Sequence, residues 1–474
     1  MAEARESFMR DTDAFSWYME KDAGLRSTIV AVAWLDGRPD FDVVTARLER
    51  ATRLVPRFRQ RPLPAPGRLA TPRWVDTDFD LSLHLRRMEA PRPHTRATVI
   101  ELARTEAMSS FDVSRPLWQF TLVENLVDDQ AALVMKVHHS LTDGIGGAKL
   151  ALLLFEATAQ AKSGDEVPVP EGTVPGPGGL GTVREALAHD ARRGAESLQR
   201  ALCRALPATT HAVRHPLHST SEVIATVRSV SRFVQPVPDT LSPVMTGRGL
   251  DRHLGMLDVD FEDLKCAAAS AGGSFNDGFV AALTGGLRRY HERHGAPVAE
   301  LRMTMPISLR KEADPADSNR ITLARFKVPV GVADPAERIR LTGQRCRLAR
   351  GEPALSLSNT IAAGLNLLPP VVVGSMLKHI DLLASNVPGL TAPVYLGGVP
   401  VTGYHAFGPT TGSAVNVTLF TYCRSCCIGV TIDTVAVPDC DVLMECLSEG
   451  FKEVLDLKGN HHRVRPSRGG DRFA

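Results

Sequence analysis

The chain has 474 residues, of which 43% are hydrophobic and 23% charged, and its formal net charge is +2. This length and composition predict a globular protein of at least two domains, and the nearly balanced charge argues against nucleic acid as a partner. Eight cysteines without framework spacing, and an N-terminal segment that lacks the apolar core of a secretory signal, favour a reducing cytoplasm.

Residues 1–162 are expected to form the first of two α/β domains. Apolar runs predict buried strands, and apolar residues at 3.6-residue spacing predict helices with one buried face. The strands are predicted at 27–35 and 131–137, and the helices at 42–54, 96–108 and 144–161. The last strand and the last helix flank the sequence HHSLTDG, which is where we expect the chemistry.

Residues 163–245 are predicted to be a connector, because 163–181 is rich in proline and glycine. A Gly-x-Gly-x-x-Gly sequence at 176–181 has the spacing of a dinucleotide fingerprint. No strand is predicted before it and prolines surround it, so we reject that interpretation. Residues 183–235 are typical of basic helices; packing against their own domain is favoured, while contact with an anionic membrane surface stays open.

Residues 246–457 return to mixed α/β character and are expected to form the second domain, followed by a disordered basic tail at 458–474. Its strands are predicted at 254–259, 301–307, 324–330, 395–401, 415–420 and 428–435, and its helices at 261–271, 276–294 and 440–455. Residues 353–377 carry no charge. Pro369 and Pro370 interrupt this stretch, which argues against a membrane-spanning helix but leaves a buried helix or contact with lipid open.

Two adjacent histidines, His138 and His139, stand at the end of the strand predicted at 131–137, and Asp143 and Gly144 follow them. A neutral imidazole accepts a proton near pH 7, so a histidine at this place is a candidate general base. Asp143 either pairs with a buried cation or caps the following helix. No cysteine, glutamate or third histidine stands at zinc-ligand spacing, so no metal is expected.

The sequence lacks the motifs of several other enzyme classes. It contains no Gly-x-Ser-x-Gly nucleophile elbow, no Walker loop and no HExxH. A CxxCC cluster at 423–427 lies within a strand-like run, where small buried thiols are favoured over redox or zinc chemistry. Proton transfer by histidine between two bound substrates is therefore the favoured mechanism.

Further short segments occur in a characteristic order along the chain. They are Asp13-Ala14-Phe15, Trp17-Tyr18-Met19-Glu20, Pro116-Leu117-Trp118, Asn276-Asp277, Pro306-Ile307-Ser308-Leu309-Arg310 and Ser385-Asn386-Val387-Pro388-Gly389. Together with HHSLTDG, they resemble the bacterial wax ester synthase/diacylglycerol acyltransferase family over residues 8–456. HHSLTDG by itself indicates only the wider superfamily of CoA-dependent acyltransferases and peptide-synthetase condensation domains.

This resemblance implies an α/β (α+β) fold of two chloramphenicol-acetyltransferase-like domains, with mixed sheets flanked by helices and an active-site channel between them. It implies transfer of a long-chain fatty acyl group from acyl-CoA to diacylglycerol, which gives triacylglycerol, or to a long-chain alcohol, which gives wax ester. Acyl-CoA is then a substrate, and no cofactor is expected. The implied setting is cytoplasmic; peripheral attachment to the inner membrane or to lipid droplets, and the oligomeric state, stay open.

The resemblance assigns His139 as the general base, His138 as its neighbour in the motif and Asp143 as the structural aspartate. Asn276 is carried over as the asparagine that faces the site from the second domain, and we expect it to stabilise the oxyanion. The residues expected to contact substrate are Gly144, Asp277, Ser385 and Asn386. The residues expected to have structural roles are Arg310, Pro116 and Trp118. Arg310 is the hypothetical cation partner of Asp143.

Two features leave the details of the site open. An asparagine at a helix start is also typical of an N-cap, so Asn276 has a structural alternative. The motif contains Ser140 and Thr142, and Gly278 follows Asn276-Asp277 in place of a β-branched residue. These departures from the family pattern leave the acceptor preference undetermined.

Three functional hypotheses follow from the motifs. The first is the acyltransferase above, with the apolar segments 361–368 and 371–377 as part of a lipid channel. The second is a condensation-type acyltransferase with a carrier-bound donor, against which the PLW and SNVPG segments and the lack of a carrier domain argue. The third is a non-catalytic protein that binds lipid or coats droplets.

Overall fold

The computed structural model describes residues 8–64, 71–141, 153–160, 188–189, 191–192, 235–308, 321–352, 355, 358–366, 368–458 and 465–466. Most of the predicted connector therefore lies outside the described residues. Three predicted site residues also lie outside them, namely Asp143, Gly144 and Arg310.

The first half of the chain alternates helices and strands. The helices are α1 (Asp11–Met19), α2 (Phe41–Leu54) and α3 (Arg96–Met108). The strands are β1 (Thr28–Leu35), β2 (Gln60–Leu63), β3 (Arg73–Asp76), β4 (Leu85–Glu89), β5 (Trp118–Glu124) and β6 (Ala131–His138). The elements predicted at 27–35, 42–54, 96–108 and 131–137 are confirmed to within one residue at each end.

The helix predicted at 144–161 is wrong at its C-terminal end, because residues 155–160 are not helical. Glu156 instead forms an isolated antiparallel bridge with Tyr395, with a backbone hydrogen bond of 2.8 Å in each direction. Its buried carboxylate accepts hydrogen bonds from Arg47 at 2.6 and 2.9 Å. These contacts with distant residues outweigh the local helical preference that spacing reports. Residues 144–152 lie outside the described part of the chain.

The second half contains longer strands. They are β7 (Arg252–Asp260), β8 (Glu300–Ser308), β9 (Ile321–Pro329), β10 (Ile380–Leu390), β11 (Tyr395–Leu396), β12 (Val399–Phe407), β13 (Ser413–Tyr422), β14 (Ser425–Asp433) and β15 (Arg465–Pro466). The helices are α4 (Phe261–Ser270), α5 (Phe275–Arg293), α6 (Pro335–Arg350), α7 (Ser358–Leu365), α8 (Pro370–Leu377) and α9 (Cys440–Leu455). The helix predicted at 440–455 is confirmed at both ends, and the other elements predicted here are present with shifted ends, except the strand at 395–401. Within the predicted disordered tail, β15 pairs with β7.

The strand predicted at 395–401 is wrong, because the chain reverses within it. Gly397 and Gly398 separate β11 from β12 and have φ angles of +55° and +85°. Two consecutive residues with positive φ are required by the type I′ turn of a tight hairpin, and glycine adopts them without steric cost. The pair therefore makes β11 and β12 an antiparallel hairpin in place of one strand.

Two mixed sheets form the framework of the molecule. The first has the order β11-β12-β1-β6-β5-β4 and the second the order β15-β7-β14-β13-β10-β8-β9. In the first sheet, β12 pairs antiparallel with β1, which in turn pairs antiparallel with β6. In the second, β10 lies parallel to both β13 and β8. Because β11 and β12 come from the second half of the sequence, the first sheet contains strands from both predicted domains.

One buried hydrophobic cluster joins the two halves of the chain. It contains Val137 and Leu141 from the end of β6, together with Val387 of β10 and Phe420 of β13. Burying a large apolar side chain stabilises a fold by about 1.5–3 kcal/mol. This shared core brings the strand end that carries the two histidines together with the middle of β10.

The uncharged stretch at 353–377 contains α7 and α8, which are eight residues long each. Asn366 donates a hydrogen bond from Nδ2 to the carbonyl oxygen of Asp11 at 2.9 Å, so these helices pack against the N-terminal segment. Two apolar side chains nearby, Leu368 and Val372, are 36% and 42% exposed. In the part of the chain that the structure describes, no helix is both long enough and apolar enough to cross a bilayer.

Candidate active site

His138 ends β6 and is fully buried, with its position in the sheet fixed by its backbone. Its amide donates to the Leu117 carbonyl oxygen at 3.0 Å. The Ser140 amide and hydroxyl both lie within hydrogen-bond distance of His138 Nδ1, at 3.1 and 2.7 Å. Because an amide can only donate, Nδ1 accepts, and neutral His138 carries its proton on Nε2. The ring therefore stabilises the turn from 138 to 141, which the Leu141 amide closes on the His138 carbonyl oxygen at 2.9 Å.

Glu20 faces the other nitrogen of His138. Its Oε2 lies 3.3 Å from His138 Nε2 and accepts a hydrogen bond from the Ser27 amide at 3.2 Å. The Nε2 contact is close but lacks the alignment of a full hydrogen bond, since the nitrogen has no aligned partner among the described residues. The rings of Trp17 and Phe111 present their edges to the imidazole, with centroids 6.0 and 5.8 Å away.

His139 directly follows β6 and is less buried than His138. Its backbone amide donates to the Ser27 carbonyl oxygen at 2.9 Å, and its side chain is half-buried. Its ring is therefore less enclosed than the fully buried ring of His138. A general base needs this partial access, because its substrate must reach the ring nitrogen.

The Pro116-Leu117-Trp118 segment supports the histidine strand from the side. Trp118 pairs with Val137 in the sheet register and is fully buried. Its Nε1 donates to the Phe58 carbonyl oxygen at 2.9 Å, and its ring stacks on His84 with centroids 4.6 Å apart. Pro116 is also buried. These contacts give the segment a packing role behind the histidines.

Asn276 lies in the first turn of α5, but it is not the helix cap. Ser274 is the N-cap, and its hydroxyl oxygen accepts from the Asp277 amide at 3.3 Å. The Asp277 carboxylate in turn accepts from the Ser274 amide at 2.8 Å, which completes a capping box. Asp277 is thereby buried and engaged with the helix end, whereas the side chain of Asn276 is left for other contacts.

Asn276 contacts Asn386 of the Ser385–Gly389 segment. Asn386 Nδ2 donates to Asn276 Oδ1 at 3.4 Å. Asn276 Nδ2 then points toward two sulfur atoms, Met305 Sδ at 3.8 Å and Cys346 Sγ at 4.0 Å. Sulfur is a weak acceptor, so this amide group keeps donor capacity for a stronger one. Ser385, the neighbour of Asn386, is half-buried opposite Thr418 in the β10–β13 pairing.

Gly278, which stands where the family pattern has a β-branched residue, affects how two helices pack. A Cβ atom at this position would lie 2.7 Å from Cβ of Ala268 on α4, well inside van der Waals contact. A β-branched residue here requires α4 and α5 to move apart. The glycine therefore permits a close approach of the two helices directly behind Asn276.

Among the described residues, the cysteine beside Asn276 is not a nucleophile at neutral pH. Burial raises the pKa of Cys346, beside Asn276, to about 12, so its thiol stays protonated at neutral pH. In the CxxCC cluster, Cys426 and Cys427 are buried and burial raises the pKa of both thiols, which confirms their interpretation as buried thiols. Cys423 is half-buried in the turn before β14.

Among the described residues, one group has the spacing of metal ligands, namely Asp258, His405 and Cys427, whose ligand atoms lie within 4.8 Å of one another. Trp34 Nε1 donates to His405 Nδ1 at 3.1 Å, so neutral His405 carries its proton on Nε2. That nitrogen lies 3.1 Å from Asp258 Oδ1. A protonated nitrogen offers no lone pair, and this geometry argues for a polar bridge between the sheets.

A serine–histidine pair elsewhere in the fold is also structural. Ser242 Oγ lies 2.8 Å from His291 Nε2, but the hydroxyl is buried and accepts hydrogen bonds from the amides of Val244 and Met245. His291 Nδ1 is 2.8 Å from the Leu287 carbonyl oxygen. Because no substrate can reach the hydroxyl, the pair does not form a hydrolase site.

Reasoning from sequence missed the roles of Glu20 and Lys136. Glu20 belongs to the Trp17-Tyr18-Met19-Glu20 segment, and its Oε2 lies 3.3 Å from His138 Nε2. Lys136 is a buried lysine on the same face of β6 as His138. A charged residue within a run of apolar strand residues needs a buried counter-charge. Lys136 in the sequence AALVMKVHH therefore predicts a buried acidic partner.

The chain matches two consecutive domain families. The wax ester synthase/diacylglycerol acyltransferase catalytic domain matches residues 9–279, and the WS/DGAT C-terminal domain matches residues 318–455. A Mycobacterium tuberculosis protein with the provisional name diacylglycerol O-acyltransferase is 34% identical over 446 residues, which cover 93% of this chain and 90% of the relative. A second M. tuberculosis protein with the same provisional name is 28% identical over 483 residues, covering 95% and 91%.

Solved structures share the fold at lower sequence identity. A wax ester synthase/diacylglycerol acyltransferase from Marinobacter aquaeolei VT8 is similar with a TM-score of 0.62 and 20% identity, over 95% of this chain and 99% of that one. The first condensation domain of the calcium-dependent antibiotic synthetase has a TM-score of 0.62 and 15% identity, over 97% and 98%. At these identities the likeness establishes two condensation-like α/β units and does not separate the two enzyme classes.

Proposed function

The chain belongs to the wax ester synthase/diacylglycerol acyltransferase family, and we propose that it transfers a long-chain acyl group from acyl-CoA to diacylglycerol, with a long-chain alcohol as the alternative acceptor. The observation that carries the proposal is the 34% identity to a relative across 93% of the chain. That relative is named for diacylglycerol acylation, which favours diacylglycerol over an alcohol. Acyl-CoA is the donor, and the scheme needs no cofactor.

His139 acts as the general base in this scheme. Its ring accepts the proton of the acceptor hydroxyl while the hydroxyl oxygen forms a bond to the thioester carbonyl carbon. The tetrahedral intermediate then collapses, the carbon–sulfur bond breaks, and the imidazolium returns the proton to the CoA sulfur. The products are the ester and free CoA, with no covalent enzyme intermediate.

Asn276 stabilises the negative oxygen of the tetrahedral intermediate. Asn386 engages Asn276 Oδ1, which orients Nδ2 away from β10, and the two sulfur atoms near Nδ2 compete only weakly for its protons. An oriented donor in a largely apolar site stabilises an oxyanion without reorganisation. Asp143 keeps its proposed structural role, with Arg310 as the proposed cation partner; both lie outside the described residues.

The remaining predicted contacts are assigned as follows. Gly144, which lies outside the described residues, and Ser385 and Asn386 keep their proposed role of contacting substrate. Asp277 is proposed to act indirectly, because its carboxylate caps the helix α5 that carries Asn276. The acceptor is a lipid, and we place the protein in the cytoplasm with peripheral attachment to the inner membrane or to droplets. The exposed side chains of Leu368 and Val372 support such a contact.

A carrier-bound donor is the second candidate. It is supported by the fold shared with condensation domains at 13–15% identity, among them a starter condensation domain of rhizomide synthetase in complex with C8-CoA and Leu-SNAC. Matches of both WS/DGAT domains along the chain favour the CoA-dependent acyltransferase.

The test measures release of free CoA and formation of ester by the purified protein. We expect CoA release from a long-chain acyl-CoA only when diacylglycerol or a fatty alcohol is present, with triacylglycerol dominating when both compete. His139→Ala should lower kcat by about 10²- to 10⁴-fold, the usual contribution of a general base.

His294→Ala serves as the matched control. His294 is half-buried and caps the C-terminal end of α5, and its replacement is expected to leave kcat within twofold. CoA release without an acceptor would indicate a thioesterase. Activity only with carrier-bound donors would favour the condensation-type enzyme, and full activity of His139→Ala would exclude His139 as the base.

A further inference from the structure

A cluster of four charged side chains lies around His138, on the face of β6 opposite Val137. The cluster consists of Glu20 after α1, Arg26 before β1, Glu106 of α3 and Lys136 of β6. Lys136 and His138 share this face because side chains two apart on a strand point to the same side. The cluster is distinct from the catalytic residues proposed above.

Lys136 is buried and bound from three directions. Its Nζ donates to Ser109 Oγ at 2.5 Å and to the Ser110 carbonyl oxygen at 3.4 Å, and it lies 3.3 Å from Glu106 Oε2. The ammonium also sits 4.6 Å from the ring centroid of Phe111, the ring whose edge meets His138. Burial lowers the pKa of Lys136, while Glu106 and Glu20 oppose this effect through their negative charges.

The charges of the cluster balance when His138 is neutral. Two carboxylates, Glu20 and Glu106, stand against two cations, Arg26 and Lys136. Arg26 Nε lies 3.8 Å from Glu20 Oε1, and Arg26 also donates to the Met108 carbonyl oxygen at 2.5 Å. A partly buried group of balanced charges costs less than an unbalanced one, so a further positive charge among these side chains is unfavourable.

We propose that Lys136 and Glu20 are positioning residues that act through His138 on the proposed base His139. Glu20 faces the Nε2 proton of His138, so that Nδ1 accepts from Ser140 and the turn carrying His139 keeps its shape. Lys136 supplies a positive charge that disfavours a second proton on the His138 ring, in addition to the one on Nε2. The proposal rests on the proposed function, because it assigns these two residues to the same site.

The consequence of removing Lys136 follows from charge and geometry. Without the ammonium, the two carboxylates are no longer balanced, and protonation of His138 becomes favourable at a higher pH. A proton on Nδ1 would meet the amide proton of Ser140 and open the turn from 138 to 141. A displacement of His139 by about 1 Å costs on the order of 100-fold in rate.

The experiment compares pH profiles of kcat/KM for the full-length protein, with acyl-CoA and diacylglycerol. Lys136→Met should lower kcat about 10- to 100-fold, with the KM for acyl-CoA within twofold, and move the acidic limb to higher pH. Lys136→Arg should restore most of kcat and the original limb. Glu20→Gln keeps an acceptor oxygen but loses the negative charge, so its acidic limb should move to lower pH.

Ser109→Ala is the matched control, since it removes a hydrogen bond to Lys136 without changing any charge. We expect the acidic limb of its kcat/KM profile to stay at the pH of the wild-type protein. Acidic limbs of Lys136→Met and Glu20→Gln that stay in place, or that move in the same direction, would overturn the proposal. If Lys136→Met does not fold, Glu20→Gln alone tests the proposal. An acidic limb that moves to lower pH supports the proposal, and one that stays in place or moves to higher pH contradicts it. Inactivity of the wild-type protein would contradict the proposed function instead.

Discussion

At the scale of single residues, two adjacent histidines have different environments because a strand ends between them. His138 is the last residue of β6 and is enclosed by Trp17, Phe111 and Ser140. His139 follows it and is only half-buried. The ring of His138 is thus held inside the fold, while the partly accessible ring of His139 is the one that a substrate can approach under the proposed function.

The contact between Asn276 and Asn386 leads to a prediction about the oxyanion. Asn276→Ala should lower kcat about 100- to 1000-fold with little change in the KM for acyl-CoA, the cost of losing one oxyanion donor. Asn386→Ala removes only the orienting contact and should cost less, on the order of tenfold. Steady-state kinetics measures both, and a larger loss for Asn386→Ala than for Asn276→Ala would contradict these roles.

At the scale of elements, the start of α5 places a capping pair on either side of Asn276, the proposed oxyanion donor. Ser274 and Asp277 satisfy each other's amides, and Gly278 allows α5 to pack closely on α4. Asn276, between them, is then free to face β10. The capping box thus fixes the helix end beside Asn276, which reduces the cost of orienting this side chain for its proposed role.

Substitutions in the capping box should affect stability more than turnover. Ser274→Ala should lower the free energy of unfolding by about 1 kcal/mol, because one buried amide loses its acceptor. Asp277→Asn keeps an acceptor oxygen and should retain the KM for acyl-CoA and diacylglycerol within twofold. Urea denaturation and kinetics test this pair. A rise in KM without a change in stability for Asp277→Asn would instead support direct substrate contact.

At the scale of the whole molecule, the two sheets are joined by one hairpin and a polar bridge. The hairpin β11–β12 comes from the second half of the sequence and completes the first sheet beside β1. His405 of β12 accepts from Trp34 of β1 and faces Asp258 of β7 in the second sheet. A site between the sheets therefore depends on residues from both halves of the chain.

Breaking this bridge should destabilise the protein globally. His405→Phe keeps a ring of similar shape but leaves the buried Trp34 Nε1 donor without an acceptor, at a cost of about 1–3 kcal/mol in the free energy of unfolding. Trp34→Phe in the same background should cost little more, because the interaction is already lost. A double-mutant cycle by urea denaturation measures the coupling. Simple additivity of the two changes would show that the bridge contributes nothing.

The sequence by itself determined most local elements and the family, and it predicted the chemistry of the motif. Apolar runs and spacing predicted β6 and α3 nearly to the residue, since these patterns report which face of an element is buried. The order of the short segments indicated the family, and the histidine pair indicated the base. The asparagine at 276 was correctly placed at a helix start, although its alternative role as N-cap is wrong because Ser274 occupies that position.

Only the tertiary structure decided which distant residues meet. It brought Asn386 to Asn276 across 110 residues of sequence, Glu20 to His138, and the hairpin at 395–407 to β1. It also replaced the predicted helix at 155–160 with a bridge to Tyr395. The physical reason is that periodicity records the burial of a segment but not its partner. Partners are selected by long-range packing and by the pairing of buried charges, which are satisfied only when the whole chain has folded.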